Sequence, residues 1–347
     1  MINSIVPEES LAKKSRSSLS TVDFAVTELA LLKQQLYADI FPLVIEAADR
    51  SVDPGSMYDW LEEKCQIILK QSARSGVVLF RGFPLESATD FDKFIDGFKL
   101  KSFTYSDSLS NAVRRNRTTK VFTANEALPS VPIYLHHEMA QTPVFPSRLF
   151  FFCETAPEIG GATPLCRSDI LFQQLQLVVP EFVNSCLSLG VRYSNIMPSI
   201  EDPESGQGRS WGSTLGAESK TEVEAKLLVL GYQWQWLAGD NLQVTTPVLP
   251  AVRELGDGRM VFFNQLVAAF RGWSDKRNQG EKSIYFGDGS DISEEDMAVT
   301  IELSDRLTFD LEWQTGDVAL VDNFVVMHGR RPYEGKRSIL ASLVAAD

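Results

Sequence analysis

Histidine is scarce in this chain: 347 residues contain three, so any imidazole chemistry must draw on nearly all of them. Cysteine is almost as rare. Cys65, Cys153, Cys166 and Cys186 show no Cys-x-x-Cys spacing, and each lies in or beside an apolar segment. This argues against zinc ribbons and disulfide frameworks, and for buried free thiols in a reducing compartment. No apolar run approaches the ~20 residues of a membrane span. Lys13, Lys14 and Arg16 follow Glu8 and Glu9, and no apolar stretch comes after them, so a secretory signal is not expected. A cytoplasmic location is expected, with an organellar transit peptide left open. Positive charge is in deficit, with 33 Lys and Arg against 46 Asp and Glu and a net charge of −13. Such a surface repels polyphosphates, which argues against a nucleic-acid partner. Gly160-Gly161 lacks the strand-to-helix context of a dinucleotide fingerprint, and Asp288-Gly289-Ser290-Asp291 lacks the ligand spacing of a calcium loop. Both read as turns.

What remains is an ordinary globular composition, 44% hydrophobic and 23% charged, in a chain long enough to bury a large core. Residues 1–22 are polar and Ser-rich and are expected to be poorly ordered. Residues 28–48 read as helix broken near Pro42. Asp53-Pro54 opens a helix whose stripe of Met57, Trp60, Leu61, Cys65, Ile68 and Leu69 recurs at helical spacing. A strand over 77–83 and a short helix over 89–98 follow. Residues 101–133 have little periodicity. Their basic knot of Arg114, Arg115 and Arg117 reads most simply as a solvated loop, or else as a loop that meets a carboxylated substrate. Strands are expected over 146–154, out of the glycine turn at 160–165, over 191–193, around Trp234 and Trp236, over 260–265 and 338–344, and after the turn in 313–323, with 244–252 irregular or an edge strand, and helices over 168–189, 221–231 and 293–306. Residues 200–220 read as a long loop within an insertion near 200–245. Many short strands between turn signals, with helices around them, indicate an α+β protein with a mainly β core, a barrel or jelly roll. No linker divides residues 23–347, which read as a single domain.

The histidines fall in two places. His136 and His137 precede Glu138, and His328 ends Asp322-Asn323-Phe324-Val325-Val326-Met327-His328. On a strand, His136 and Glu138 share a face, and His137 points away as a packing residue. Two histidines and one carboxylate on one side of a metal leave the opposite positions open, the facial arrangement of non-haem Fe(II) oxygenases. A histidine and a glutamate two apart are a weak signal alone, and their flanks carry the rest.

Those flanks are Gly160-Gly161-Ala162-Thr163, the run Gly316-Asp317-Val318-Ala319-Leu320-Val321-Asp322-Asn323 four residues before His328, and Arg337 beyond it. In this order, from about residue 55 to the C-terminus, the chain resembles the TauD/TfdA-like Fe(II)/2-oxoglutarate-dependent oxygenases. Thr123-Ala124-Asn125-Glu126, His136 to Gln141, Phe263-Asn264 and Arg337 to Leu343 are similar to the plant clavaminate-synthase-like and SyrP-like branch. The resemblance implies a double-stranded β-helix (jelly roll) with flanking helices. It implies Fe(II) on His136, Glu138 and His328, 2-oxoglutarate held by Arg337 and Thr163, and O2 as oxidant. Two departures stand out. The second downstream arginine of taurine dioxygenases is Ala341 here, so taurine is not the expected substrate. Phe324 stands where many members have arginine. The retained Glu138 argues against halogenation.

The branch likeness implies a small amino acid or a derivative, anionic or zwitterionic, with hydroxylation or the oxidative cyclisation or desaturation of N-alkylated glutamates as the outcome. Asn125, Asn264, Arg271, Trp211 and Arg115 are the candidate substrate contacts. Two other classes share the same ligands or fold: a zinc-dependent hydrolase and a non-catalytic jelly-roll binding protein.

Overall fold

The structure, a computed structural model, describes residues 4–5, 15–205, 207–273, 277 and 282–345. Two β-sheets face each other. Among the described residues the larger runs in the order Ser15–Arg16, Val26–Glu28, Leu43–Ala47, Val77–Arg81, Val318–Asp322, Pro146–Thr155, Ser338–Ala345 and Ser102–Phe103, with Phe122–Thr123 also pairing Ser338–Ala345. The smaller runs Ile133–His136, Val326–Arg330, Thr163–Arg167 and Thr308–Leu311. Strands distant in sequence thus lie side by side, and the result is a jelly roll flanked by helices.

The period-2 alternation of side chains builds the layers. Val77, Leu79, Leu149, Phe151, Val321 and Leu343 point between the sheets and meet Leu165, Phe309, Leu311 and Val326. Their neighbours Val78, Phe80, Phe150, Phe152 and Leu320 point outward. There they meet the stripe of Pro54–Ser75, a helix capped by the Asp53 carboxylate on Gly55 N–H. Strands buried on both faces carry near-continuous apolar runs, as in Val77–Arg81. The outer face of the smaller sheet is covered by Ser168–Val178, Pro180–Leu189, Leu266–Gly272 and Glu294–Arg306.

Several sequence expectations are corrected. Residues 28–48 form strands rather than a helix: Leu43–Ala47 joins the large sheet in parallel with Val77–Arg81. Leu32, Leu36 and Ile40 in this stretch are exposed, so they could not have stabilised a helix by burial. Within 1–22, the segment expected to be poorly ordered, Ser15–Arg16 pairs with Val26–Glu28 and Leu19 is in the core; residues 1–3 and 6–14 lie outside the described residues. The 168–189 helix is two, divided where Pro180 starts the second. Only Met260–Val261 of the 260–265 strand is extended.

The insertion has its own structure. Trp211–Leu215 is a short helix capped by Ser210, followed by Lys220–Val229. The hairpin Gln233–Trp236/Leu242–Thr245 extends Val191–Met197. Met197, Leu215, Val223, Leu227, Leu242 and Val244 form a separate small core there.

Candidate active site

Ile133–His136 lies at the edge of the smaller sheet, antiparallel to Val326–Arg330, in a register that sets His136 opposite His328. Such cross-strand neighbours touch, and the two ring centroids are 4.4 Å apart. The strand ends at His136. Glu138 sits in the turn beyond it, where Met139 takes a left-handed φ of 59°. The expected strand geometry for the pair is therefore replaced by a clamp. Asn323 Oδ1 accepts the Glu138 N–H at 2.8 Å, and its Nδ2 donates to Glu138 O at 3.0 Å and Pro146 O at 2.7 Å. His137 faces away, as expected. It is fully buried, its ring packs on Phe263 at 4.8 Å, and its Nδ1 donates to Asn323 O.

Glu138 Oε2 lies 4.0 Å from His136 Nε2 and 3.7 Å from His328 Nε2, and the three potential ligand atoms fall within 4.8 Å of one another. His136 Nδ1 is 2.8 Å from Tyr134 O. A carbonyl can only accept, so the proton is on Nδ1 and the Nε2 lone pair faces the carboxylate, and the hydrogen bond to Tyr134 O holds the ring in the orientation a metal ligand needs. Burial, and then neighbouring His328, push the His136 imidazole down to about 4; burial pushes His137 down to about 3. Burial alone would raise the Glu138 carboxyl, but Arg114 and then the imidazoles outweigh it and hold it below the usual carboxylate range. Two imidazoles and an ionised carboxylate converge on one point, which fits a divalent cation.

Arg114 supplies that charge. Its Nη2 donates to Glu138 Oε1 at 2.9 Å, with both side chains buried. The sequence pointed to its neighbour. Arg115 projects outward, 3.6 Å from Glu126. Sequence reasoning had marked the arginine knot but not which member faces inward, because an irregular loop gives no period.

A cavity of about 440 Å³ opens from the histidines and is lined by His136, Glu138, His328, Thr163, Arg337 and Asn125, within the range of small-molecule sites. Arg337 Nε donates to Gly161 O at 3.0 Å. Burial and nearby Arg330 push its pKa down to about 10. Among the described residues no carboxylate pairs with it, and a guanidinium lining a cavity in that condition fits a carboxylate ligand. Thr163 Oγ1 accepts from Trp313 Nε1 at 2.9 Å, so its own proton is free to donate. Gly161 has φ 69°, and a Cβ there would meet Pro157 Cγ at 2.8 Å, Tyr333 Cβ at 3.0 Å and Arg337 Cδ at 3.1 Å; Gly160, expected in a turn, pairs with Tyr333 in a short strand. Arg330 is used otherwise, donating to the carbonyls of Asn125, Ala127, Leu128 and Val131.

Of the five candidate substrate contacts only Asn125 lines the cavity. Asn264 is buried and bonds Ala251 O and Leu266 N–H, a structural role. Arg271 lies over the Tyr134 ring at 4.3 Å and pairs with Asp305. Trp211 Nε1 bonds Asp240 O within the insertion. Arg114 of the arginine knot also lines the cavity, as do Gln141 and the insertion residues Asp202, Glu204 and Gln207, which the sequence did not single out as contacts.

The family model described as taurine catabolism dioxygenase TauD, TfdA family matches residues 38–343. The chain is 38% identical to a clavaminate synthase-like protein of Arabidopsis thaliana over 270 residues, 78% of this chain and 81% of that protein. It is 26% identical to the dapdiamide synthesis protein DdaC of Enterobacter agglomerans over 286 residues, 78% and 83% of the two chains. Among solved structures it is similar in fold to PvcB of Pseudomonas aeruginosa, an Fe, alpha-ketoglutarate dependent oxygenase from an isonitrile synthetic pathway (TM-score 0.51, 13% identity, covering 96% and 95% of the chains). The chain therefore belongs to the TauD/TfdA family and is an Fe(II)- and 2-oxoglutarate-dependent dioxygenase.

Proposed function

We propose that His136, Glu138 and His328 ligate the iron, that Arg337 and Thr163 hold the far carboxylate of 2-oxoglutarate, and that the enzyme oxidises an unactivated C–H bond of a small amino acid or amino-acid derivative. The observation that carries this reading is that all five side chains line one cavity. When bound, iron and 2-oxoglutarate together supply the activation of O2, with release of succinate and CO2. The protein's own contribution is placement. Arg337 and Thr163 fix one end of the co-substrate, and Phe151 and Ile339 give the cavity apolar wall.

The substrate reading follows from charge. Arg114 is engaged by Glu138, Arg330 by four carbonyls, and Arg337 is assigned to 2-oxoglutarate. The outer wall carries Glu204 and Asp202, of which Asp202 is already paired with Arg277 at 2.9 Å, leaving Glu204 as the group for a substrate cation. This favours a zwitterion whose ammonium group faces the insertion over a purely anionic substrate, and favours hydroxylation of an amino acid over cyclisation of an N-alkylated glutamate. The relation to a dapdiamide synthesis protein supports a role in small-molecule biosynthesis.

The test is turnover with Fe(II), 2-oxoglutarate and O2 on a panel of free and N-alkylated amino acids, following succinate and product mass. Gain of one oxygen by a free amino acid is expected. Loss of two hydrogens from an N-alkylated glutamate would establish cyclisation or desaturation instead. Turnover independent of O2 and 2-oxoglutarate would point to the hydrolase class.

A further inference from the structure

Glu138 has two oxygens, and a facial site with three open positions requires that only one of them reach the metal. If both did, the second oxygen would take a position needed by 2-oxoglutarate or O2. In this structure the two oxygens are already distinguished. Oε2 faces both imidazoles, at 4.0 and 3.7 Å, while Oε1 accepts a hydrogen bond from Arg114 Nη2 at 2.9 Å. The backbone of Glu138 is separately fixed by Asn323, so the carboxylate torsion is the freedom left to control.

We propose that Arg114 is a positioning residue that holds Glu138 as a one-oxygen ligand and keeps the open face of the metal free. The proposal rests on the assignment of Glu138 as a ligand made above.

Arg114 is itself well held. Its side chain is 7% exposed, and its guanidinium lies over the Phe122 ring at 5.3 Å. Its backbone N–H donates to the Tyr105 hydroxyl at 3.3 Å. Tyr105 in turn lies beneath the guanidinium of Arg209 at 3.9 Å, and Arg209 bonds the carbonyls of Ser108 and Tyr105. The arginine is thus placed by a built loop. A planar guanidinium also suits the task better than an ammonium, because its donors leave in fixed directions.

Charge alone predicts the opposite of positioning, and this makes the idea testable. Removing a cation so close to the site would tighten divalent metal binding if Arg114 acted only as a charge. Loss of an orienting contact weakens it, by about 10- to 100-fold in metal sites generally. The experiment is calorimetric titration of the full-length protein with Mn(II) alone, at neutral pH, for wild type, Arg114→Gln, Arg114→Lys and the exposed control Arg115→Gln. Arg114→Gln is expected to bind at least about tenfold more weakly. Arg114→Lys, which keeps a charge and a donor, is expected to fall between it and wild type, and Arg115→Gln to match wild type. With Mn(II) saturating, Arg114→Gln is also expected to lose affinity for N-oxalylglycine, an inert 2-oxoglutarate analogue, because the freed oxygen competes for its position. Either folded Arg114 variant binding Mn(II) as tightly as wild type, or more tightly, overturns the proposal. Wild type failing to bind Mn(II) would overturn the metal site as well, which separates the two failures.

Discussion

Replacing Arg337 with glutamine separates binding from folding. The arginine is in the wall of the cavity, donates one hydrogen bond to Gly161 O, and has no carboxylate partner among the described residues. Its pKa is held at about 10 against an ordinary 12.5, and at about 1.4 kcal/mol for each tenfold this amounts to a few kcal/mol against the buried charge. Because both values lie above neutrality, that cost is present throughout the physiological range in the protein without co-substrate. Glutamine removes it and loses one charge-assisted hydrogen bond to a carbonyl, about 1.5–3 kcal/mol. The melting temperature is therefore expected to stay level or rise. Binding of 2-oxoglutarate loses a charge-assisted pair in a desolvated site, about 2–5 kcal/mol. The middle of that range corresponds to a KM for 2-oxoglutarate on the order of 100-fold higher. Succinate formation at graded 2-oxoglutarate, with melting curves on the same preparations, checks both halves. A KM within about threefold of wild type, or a clear drop in melting temperature at unchanged KM, would show that Arg337 is a structural cation and refute the reasoning.

Asn323→Ala removes three buried hydrogen bonds to Glu138 and Pro146. It is expected to cost roughly 3 kcal/mol in urea unfolding, from backbone groups left unpaired, and to weaken Mn(II) binding as well. Trp313→Phe deletes the donor to Thr163 Oγ1. It should raise the 2-oxoglutarate KM only several-fold, about 1 kcal/mol, with metal affinity unchanged. Asp322 is pushed up from 3.8 to about 6 by burial, partly countered by Arg148. The stability contributed by its protonated form is fully present below about pH 4 and is lost as pH rises through about 6. Asp322→Asn keeps an acceptor for Phe324 N–H, so it is expected to match wild type in urea at pH 4 and to be more stable, by at most a few kcal/mol, well above pH 6.

The sequence carried the jelly roll where period and burial agree. Val77–Arg81 and Pro146–Thr155 are apolar on both faces because sheets and helices sandwich them, and that composition is visible without coordinates. The same holds for the helix after Asp53-Pro54, whose stripe, cap and proline coincide. It failed over 28–48, where pairing with a strand more than thirty residues away decided the outcome. The proposed metal ligands and the proposed Arg337/Thr163 pair could be singled out because the order of motifs resembles that of a known family, and in the structure these side chains line one cavity. The contacts that orient them could not be singled out. Asn323 stood in a recognised motif, but nothing local says that its amide turns back onto Glu138. Arg114 and Arg115 are adjacent and alike in sequence, and only the path of an irregular loop buries one and exposes the other.

That loop is where reaction and selection meet. The sheets carry the imidazoles and Thr163, and the turns at their ends carry Glu138, Asn323 and Arg337. The outer wall of the cavity depends on the insertion, through Asp202, Glu204 and Gln207. The insertion also reaches inward by one buried side chain. Arg209 bonds the carbonyls of Tyr105 and Ser108, and its own backbone N–H bonds Asn111 O, so it sets the loop that ends at Arg114. A change in the insertion that alters which substrate fits therefore also bears on how Glu138 is held.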